Sequence, residues 1–313
     1  MLTFIIRRIL AGVVLLFVIS SLAFGLMYLD SANIARRLVG QTATAETVQQ
    51  RAQELGLDRP LFVQYWDWLT SALTGDFGRS WFNGQLVIVS LSGRLAVTLT
   101  LVIGTTIITA IVSVILGVLA ARRGGAVDTI VQFISVLGFA IPGFLIAVYL
   151  VLIFAINLGW FKATGYTPIT DSVGGWLASI TLPIIALSLG AIAAVTQQIR
   201  GSVIDAMSRD YVRTLRARGL RSGSVVYKHV LRNAGGPALA VLAVQFIGLL
   251  GGALIVEQVF ALPGLGQLTV AAGTQGDIPV VMGVVVVTAL IVIIVNLIID
   301  LAQAALNPKV RLS

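Results

Sequence analysis

The sequence has 313 residues, 58% of them hydrophobic and only 11% charged, against about 25% charged in an ordinary soluble domain. That composition is poor material for a water-soluble monomer and argues against a soluble enzyme, a disordered tail or a nucleic-acid-binding domain. The net charge of +8 fits the basic cytoplasmic loops of a membrane protein. With no cysteine and a single histidine, His229, disulfides, thiolate metal centres and histidine-rich metal sites are excluded.

Six long stretches carry no charged residue: Ile9–Leu29, Leu95–Ala121, Thr129–Phe161, Ser172–Ile199, Asn233–Val256 and Ile278–Ile299. Each exceeds the roughly 20 residues a helix needs to cross a hydrocarbon core about 30 Å thick. They predict an all-α integral membrane protein with six transmembrane helices. The first run follows Arg7-Arg8, but it is longer than the apolar region of about 7–15 residues in a cleaved signal peptide, so it reads as a retained anchor. Its segment, 1–29, is followed by an outer loop, 30–94, and a five-helix core, 95–313.

Within 30–94, Thr44–Leu55 reads as a polar helix stopped by Gly56, and Pro60 opens the next. In Leu61–Leu73, Phe62, Tyr65, Trp66, Leu69 and Leu73 recur at helical spacing and predict one apolar face. Trp66, Trp68 and Trp81 suit a membrane–water interface, or a surface for an external partner. Pro142 and Pro183 predict bends in the third and fourth spans. The stretch 200–232 predicts a cytoplasmic loop of two helices, about Ser208–Ala217 and Ser224–Asn233, with Gly219 ending the first in the left-handed conformation. Gln258–Gly276, although uncharged, holds Pro263 and several glycines and predicts only a short helix near Leu268–Ala272.

With six spans both termini share one side. Placing them in the cytoplasm puts fourteen of the 21 basic residues there with only four acids, as the positive-inside bias requires.

At this point the sequence resembles a family. DYVRTLRARGL (Asp210–Leu220) with HVLRNAGGP (His229–Pro237) is similar to the cytoplasmic coupling loop of permease subunits of binding-protein-dependent ATP-driven importers, in the oligopeptide/dipeptide/nickel branch. The passages Leu55–Trp81, GFAIPGF (Gly138–Phe144), EQVFALPGLGQL (Glu257–Leu268) and LNPKVR (Leu306–Arg311) agree. The long outer loop and FIIRRIL (Phe4–Leu10) match the first of the two permeases. Arg213-Thr214-Leu215 stands where the general pattern has Glu-Ala-Ala, and Gly236-Pro237 where it often has Leu-Pro.

The resemblance implies a type I importer permease fold. It implies a second, homologous permease, two ATPase subunits, an extracytoplasmic substrate-binding protein and a bacterial-type cytoplasmic membrane as partners, with no nucleic acid. The chain lacks the G-x-x-x-x-G-K-[ST] phosphate loop, so the expectation is a non-catalytic subunit with no cofactor or metal of its own, ATP and Mg residing on the ATPases. The expected coupling residues are Asp210, Tyr211, Val212, Arg213, Thr214, Leu215, Arg216, Ala217, Gly219 and Leu220, with Tyr211, Val212 and Leu215 as apolar anchors in an ATPase groove. Phe139, Pro142, Phe144, Gln197, Gln198, Gln245 and Asn296 are candidates for the path. Trp66, Asp76, Phe77, Gly78, Glu257, Pro263 and Gly264 are candidates for an outer gate or binding-protein contact. Peptides are the expected substrate, with nickel chelates or another small solute as the alternative. An ion-coupled secondary transporter would need charged residues at mid-depth, and the spans contain none. A membrane enzyme would need clustered acids and histidines.

Overall fold

In a computed structural model, residues 2–40 and 42–306 are described, and they are almost entirely helical. The C-terminal motif beyond Leu306 lies outside the described residues. Five helices are long and apolar enough to cross a membrane: α1 (Leu2–Tyr28), α5 (Val87–Arg123), α8 (Val173–Ser208), α11 (Leu231–Val259) and α13 (Ile278–Leu306). A sixth crossing requires counting as one span a broken pair, α6 (Gly125–Ala140) and α7 (Gly143–Leu150) with its π-helical continuation Val151–Asn157, whose halves meet at 92°. The break falls at Ile141–Pro142, where proline has no amide hydrogen to give and disfavours helical geometry in the residue before it. Ile141 is accordingly extended, with φ −93° and ψ 117°. Pro183, by contrast, is buried inside α8, which runs on unbroken.

The first unit comprises Leu99–Leu262 and residues from Ile294 onward. Its centre is α8, against which α6, α7 and α11 pack. Small residues permit close approach, as is usual between membrane helices. A Cβ on Gly117 of α5 would stand 2.8 Å from Ile199 and 3.0 Å from the Thr196 carbonyl. One on Gly138 of α6 would stand 3.2 Å from Ala193.

The span helices run past the charge-free stretches. α8 carries Arg200 and Asp205, and α10 (Ser222–Ser224) with the π-helical Val225–Val230 leads directly into α11. The segment between the two span helices therefore narrows from 200–232 to Arg209–Arg221. Arg200 donates to Asp128, at the start of α6, through Nε and, at 2.6 Å, through Nη2. Gln132 adds a third donor to that carboxylate at 3.0 Å, so this planar two-point pair fastens α6 to α8.

The second unit comprises Leu2–Thr98 and Pro263–Ile293. It holds α1, α2 (Ser31–Val39), α3 (Ala45–Glu54), α4 (Leu61–Leu73) and α12 (Leu265–Gln275). Thr44 caps α3 by accepting from the Thr47 amide, and Gly56 takes φ +67° after it, as its sequence position predicts. α2 has no counterpart in the sequence reading, although Ile34, Ala35 and Leu38 recur at helical spacing and pack on one apolar cluster.

α4 corrects an expectation. Its inward residues are Tyr65, which is buried, with Trp68 and Leu69; Tyr65 and Trp68 meet Phe24 of α1, and Leu69 packs on the same cluster. The Tyr65 hydroxyl lies 2.8 Å from that of Ser20. Phe62, Trp66 and Leu73, expected on that same face, are 69%, 51% and 78% exposed. Trp68 and Trp81 are partly buried and pack on the apolar cluster around Phe24. The spacing 65, 68, 69 is as helical as 62, 66, 69, 73, so periodicity alone does not choose between two overlapping aromatic stripes.

Candidate coupling loop and span-break cavity

α9 (Asp210–Ala217) is an eight-residue helix with two unlike faces. Helices this short are marginal alone and depend on packing. Val212 is fully buried, and Tyr211, Leu215 and Leu220 pack on the same cluster, which includes Val203, Val225, Val226 and Val230. Asn233 on α11 donates to the Tyr211 hydroxyl at 3.0 Å. The expected apolar anchors thus seat α9 on its own chain, and Val212 presents nothing to another subunit. Asp210, Arg213, Thr214, Arg216 and Ala217 are exposed. Arg213 and Asp210 stand 3.8 Å apart, with side chains 80% and 97% exposed, a separation and exposure that stabilise little.

Gly219 terminates α9. Its φ is +80°, its amide donates to the Arg216 carbonyl at 2.9 Å, and the Leu220 amide donates to the Leu215 carbonyl at 3.3 Å. This paired closure with an apolar residue after the glycine is the Schellman end that glycine favours. It reverses the chain and leaves Arg216, Arg218 and Arg221 exposed around the turn.

A cavity of about 520 Å³ lies at the α6–α7 break, walled by α8 and α11. Phe139, Pro142 and Phe144 line it from the break, small residues such as Ala186, Gly190 and Gly252 form the opposite side, and Gln245 is the one amide side chain on its wall. Four of the seven path candidates therefore come together here. The other three lie elsewhere: Gln198 donates to Ser202 at 3.0 Å beside Arg200, Gln197 precedes it, and Asn296 is half-buried on α13.

The outer candidates also separate. Glu257 is fully buried at the end of α11, which corrects its assignment to a contact surface. Gly264 is buried, and Phe77 packs inward near Val87 and Leu91. Trp66, Asp76 and Pro263 remain exposed. Gly78 has φ +78°, and its amide donates to Asp76 at 2.8 Å. Sequence reasoning missed Asp277, which is 3% exposed. It accepts from the Ser80 hydroxyl and, at 3.2 Å, from the Trp81 amide. Next to it, Gly276 has φ +82° and abuts Ile34 of α2. A lone acid after glycine, at the head of an apolar run, was the available signal.

The comparisons with known proteins bear on these features together. The family described as "Binding-protein-dependent transport system inner membrane component" matches residues 113–312, and its N-terminal companion matches residues 1–102. The probable peptide ABC transporter permease y4tP of Sinorhizobium fredii is 36% identical over 309 residues, 98% of this chain and 99% of the relative. A putative peptide transport system permease of Brucella abortus is 37% identical over 98% of each chain. The glutathione transport system permease GsiC of Escherichia coli is 35% identical over 99% of each. Among solved structures, the inward-facing MetNI methionine ABC transporter aligns with 70% of this chain and 97% of its own, at TM-score 0.56 and 19% identity, which supports the type I importer fold. The chain belongs to the binding-protein-dependent transport system inner membrane components: it is a multi-pass permease subunit of an ABC importer.

Proposed function

We propose that this permease forms half of a pathway for peptides and receives the ATPase stroke through α9. In this reading it is a non-catalytic subunit with cytoplasmic termini. It pairs with a second homologous permease above two ATPase subunits, which carry ATP and Mg, and a substrate-binding protein delivers cargo on the opposite face.

The observation that carries the reading is the division of labour on α9. Its apolar side is fixed to the span helices through Val212, Tyr211 and Leu215, while Arg213 and Arg216 stand exposed beyond it. A helix seated in this way moves together with α8 and α11. An exposed cationic face offers register and charge complementarity to a partner subunit. The cavity at the α6–α7 break, apolar apart from Gln245, suits cargo of varied side chains, with selection left to the binding protein. The names of the relatives, peptide permeases and a glutathione permease, support peptides as the substrate class.

The test is ATP-driven peptide uptake into vesicles holding the whole importer, with a proton uncoupler as control. Gly219→Asp, which disturbs a φ of +80° and sets a carboxylate among arginines, is expected to abolish uptake while the protein remains in the membrane. Normal uptake by that variant overturns the coupling role of α9. Uptake that collapses with the uncoupler but not on ATP withdrawal overturns the importer mechanism.

A further inference from the structure

The last turn of α5 carries two arginines that the candidate coupling loop and the span-break cavity do not include. Arg122 and Arg123 are both exposed. Arg122 lies over the Tyr227 ring, 5.6 Å from its centre, and its Nη1 is 3.4 Å from the Tyr227 hydroxyl. Among the described residues, neither arginine is paired with a carboxylate. Below them a groove of about 350 Å³ is walled by Val114, Ile115, Val118 and Leu119.

The groove continues an apolar stripe. Ile107, Ile111 and Ile115, one helical turn apart, are 54%, 56% and 60% exposed. α5 is a membrane-crossing helix, so its arginine end stands at headgroup level when this stripe stands in hydrocarbon. From Ile115 to Arg122 the helix rises about 10 Å, the depth of the upper part of an acyl chain. Two unpaired guanidinium groups, one of them already oriented by Tyr227, sit above an apolar trough and match a phosphodiester carried on a hydrocarbon tail. An acidic protein loop would satisfy the arginines but leave the trough open.

We propose that this groove binds an anionic phospholipid, its phosphate held by Arg122 and Arg123 and one acyl chain lying along Val114, Ile115 and Leu119. The inference depends on membrane insertion alone and not on the nature of the cargo. Tyr227 is the positioning residue: it holds the Arg122 guanidinium toward the headgroup and closes one side of the trough.

The test is native mass spectrometry of the full-length chain in mild detergent, titrated with phosphatidylglycerol, phosphatidylcholine or inorganic phosphate. Phosphatidylglycerol is expected to bind at least tenfold more tightly than phosphatidylcholine, and inorganic phosphate is expected not to displace it. Arg122→Gln/Arg123→Gln is expected to lose that preference. Arg122→Lys/Arg123→Lys, which keeps the charge and controls for folding, is expected to retain most of it. Equal binding of both lipids, unchanged binding by the glutamine variant, or displacement by inorganic phosphate overturns the proposal. So does loss of the lipid when the chain assembles with its partner subunits, since the groove is then a subunit interface.

Discussion

Val212→Ala tests whether α9 is anchored within its own chain. Val212 has no exposed surface and packs among Val203, Val225 and Val230. Removing its two methyl groups forfeits about 1.6 kcal/mol of burial at roughly 0.8 kcal/mol each. The cavity adds about 1 kcal/mol, at roughly 24 cal/mol per Å³ over some 50 Å³, for a total of about 2–3 kcal/mol. An eight-residue helix has little stability of its own to draw on, so the loss falls on its docking equilibrium. The expected result is a roughly 30- to 150-fold rise in amide hydrogen exchange across Asp210–Leu220, at 1.4 kcal/mol per tenfold, while the middle of α8 stays protected. ATP-driven uptake falls with it, because a loosened lever transmits less. Arg213→Ala removes an 80%-exposed side chain. It is expected to leave exchange unchanged while weakening co-purification of the ATPase. Unchanged exchange in Val212→Ala, or equal loss of protection in Arg213→Ala, would refute the two-faced reading of α9.

Two further predictions concern stability. Arg200→Gln leaves Asp128 facing only Gln132. It is expected to lower the Tm measured in detergent, and adding Asp128→Asn is expected to restore most of that loss. Losses in the two single variants that add within about 0.5 kcal/mol in the double variant would show the pair to be uncoupled. Asp277→Ala removes the acceptor of the Ser80 O–H and of the part-buried Trp81 amide, while the Ser80 oxygen keeps the Phe82 and Asn83 amides, at a cost of about 1–3 kcal/mol. The loop 76–86 is then expected to be cut faster by added protease than in the parent, and unchanged cleavage would show that Asp277 does not hold it.

Much of the candidate site was legible in the sequence because backbone chemistry fixed it locally. Gly219 falls where an amphipathic octet must end, and the left-handed turn follows whatever packs around it. Pro142 was legible as a bend for a similar reason, because the missing amide acts within one turn. The size of that bend, 92°, was not, since it depends on what α8 and α11 offer to either half. The buried acid Asp277 was not legible either. Its partners Ser80 and Trp81 are nearly 200 residues away in the chain, and no local pattern announces a contact at that separation.

The membrane class, the apolar stretches, the Gly219 turn and the family could all be read from the amino-acid order, because solvent transfer, turn chemistry and motif order are properties of short segments. Which face of a helix turns inward became visible only once the helices were packed against one another. Val212 and Leu215 proved to be internal anchors, Tyr65 and Trp68 displaced Phe62 and Trp66 from the packed face of α4, and Glu257 lies buried rather than on a contact surface. On α4 two overlapping aromatic stripes compete and the neighbouring α1 selects which of them is buried, whereas the single apolar face of α9 finds its partners on α8 and α11.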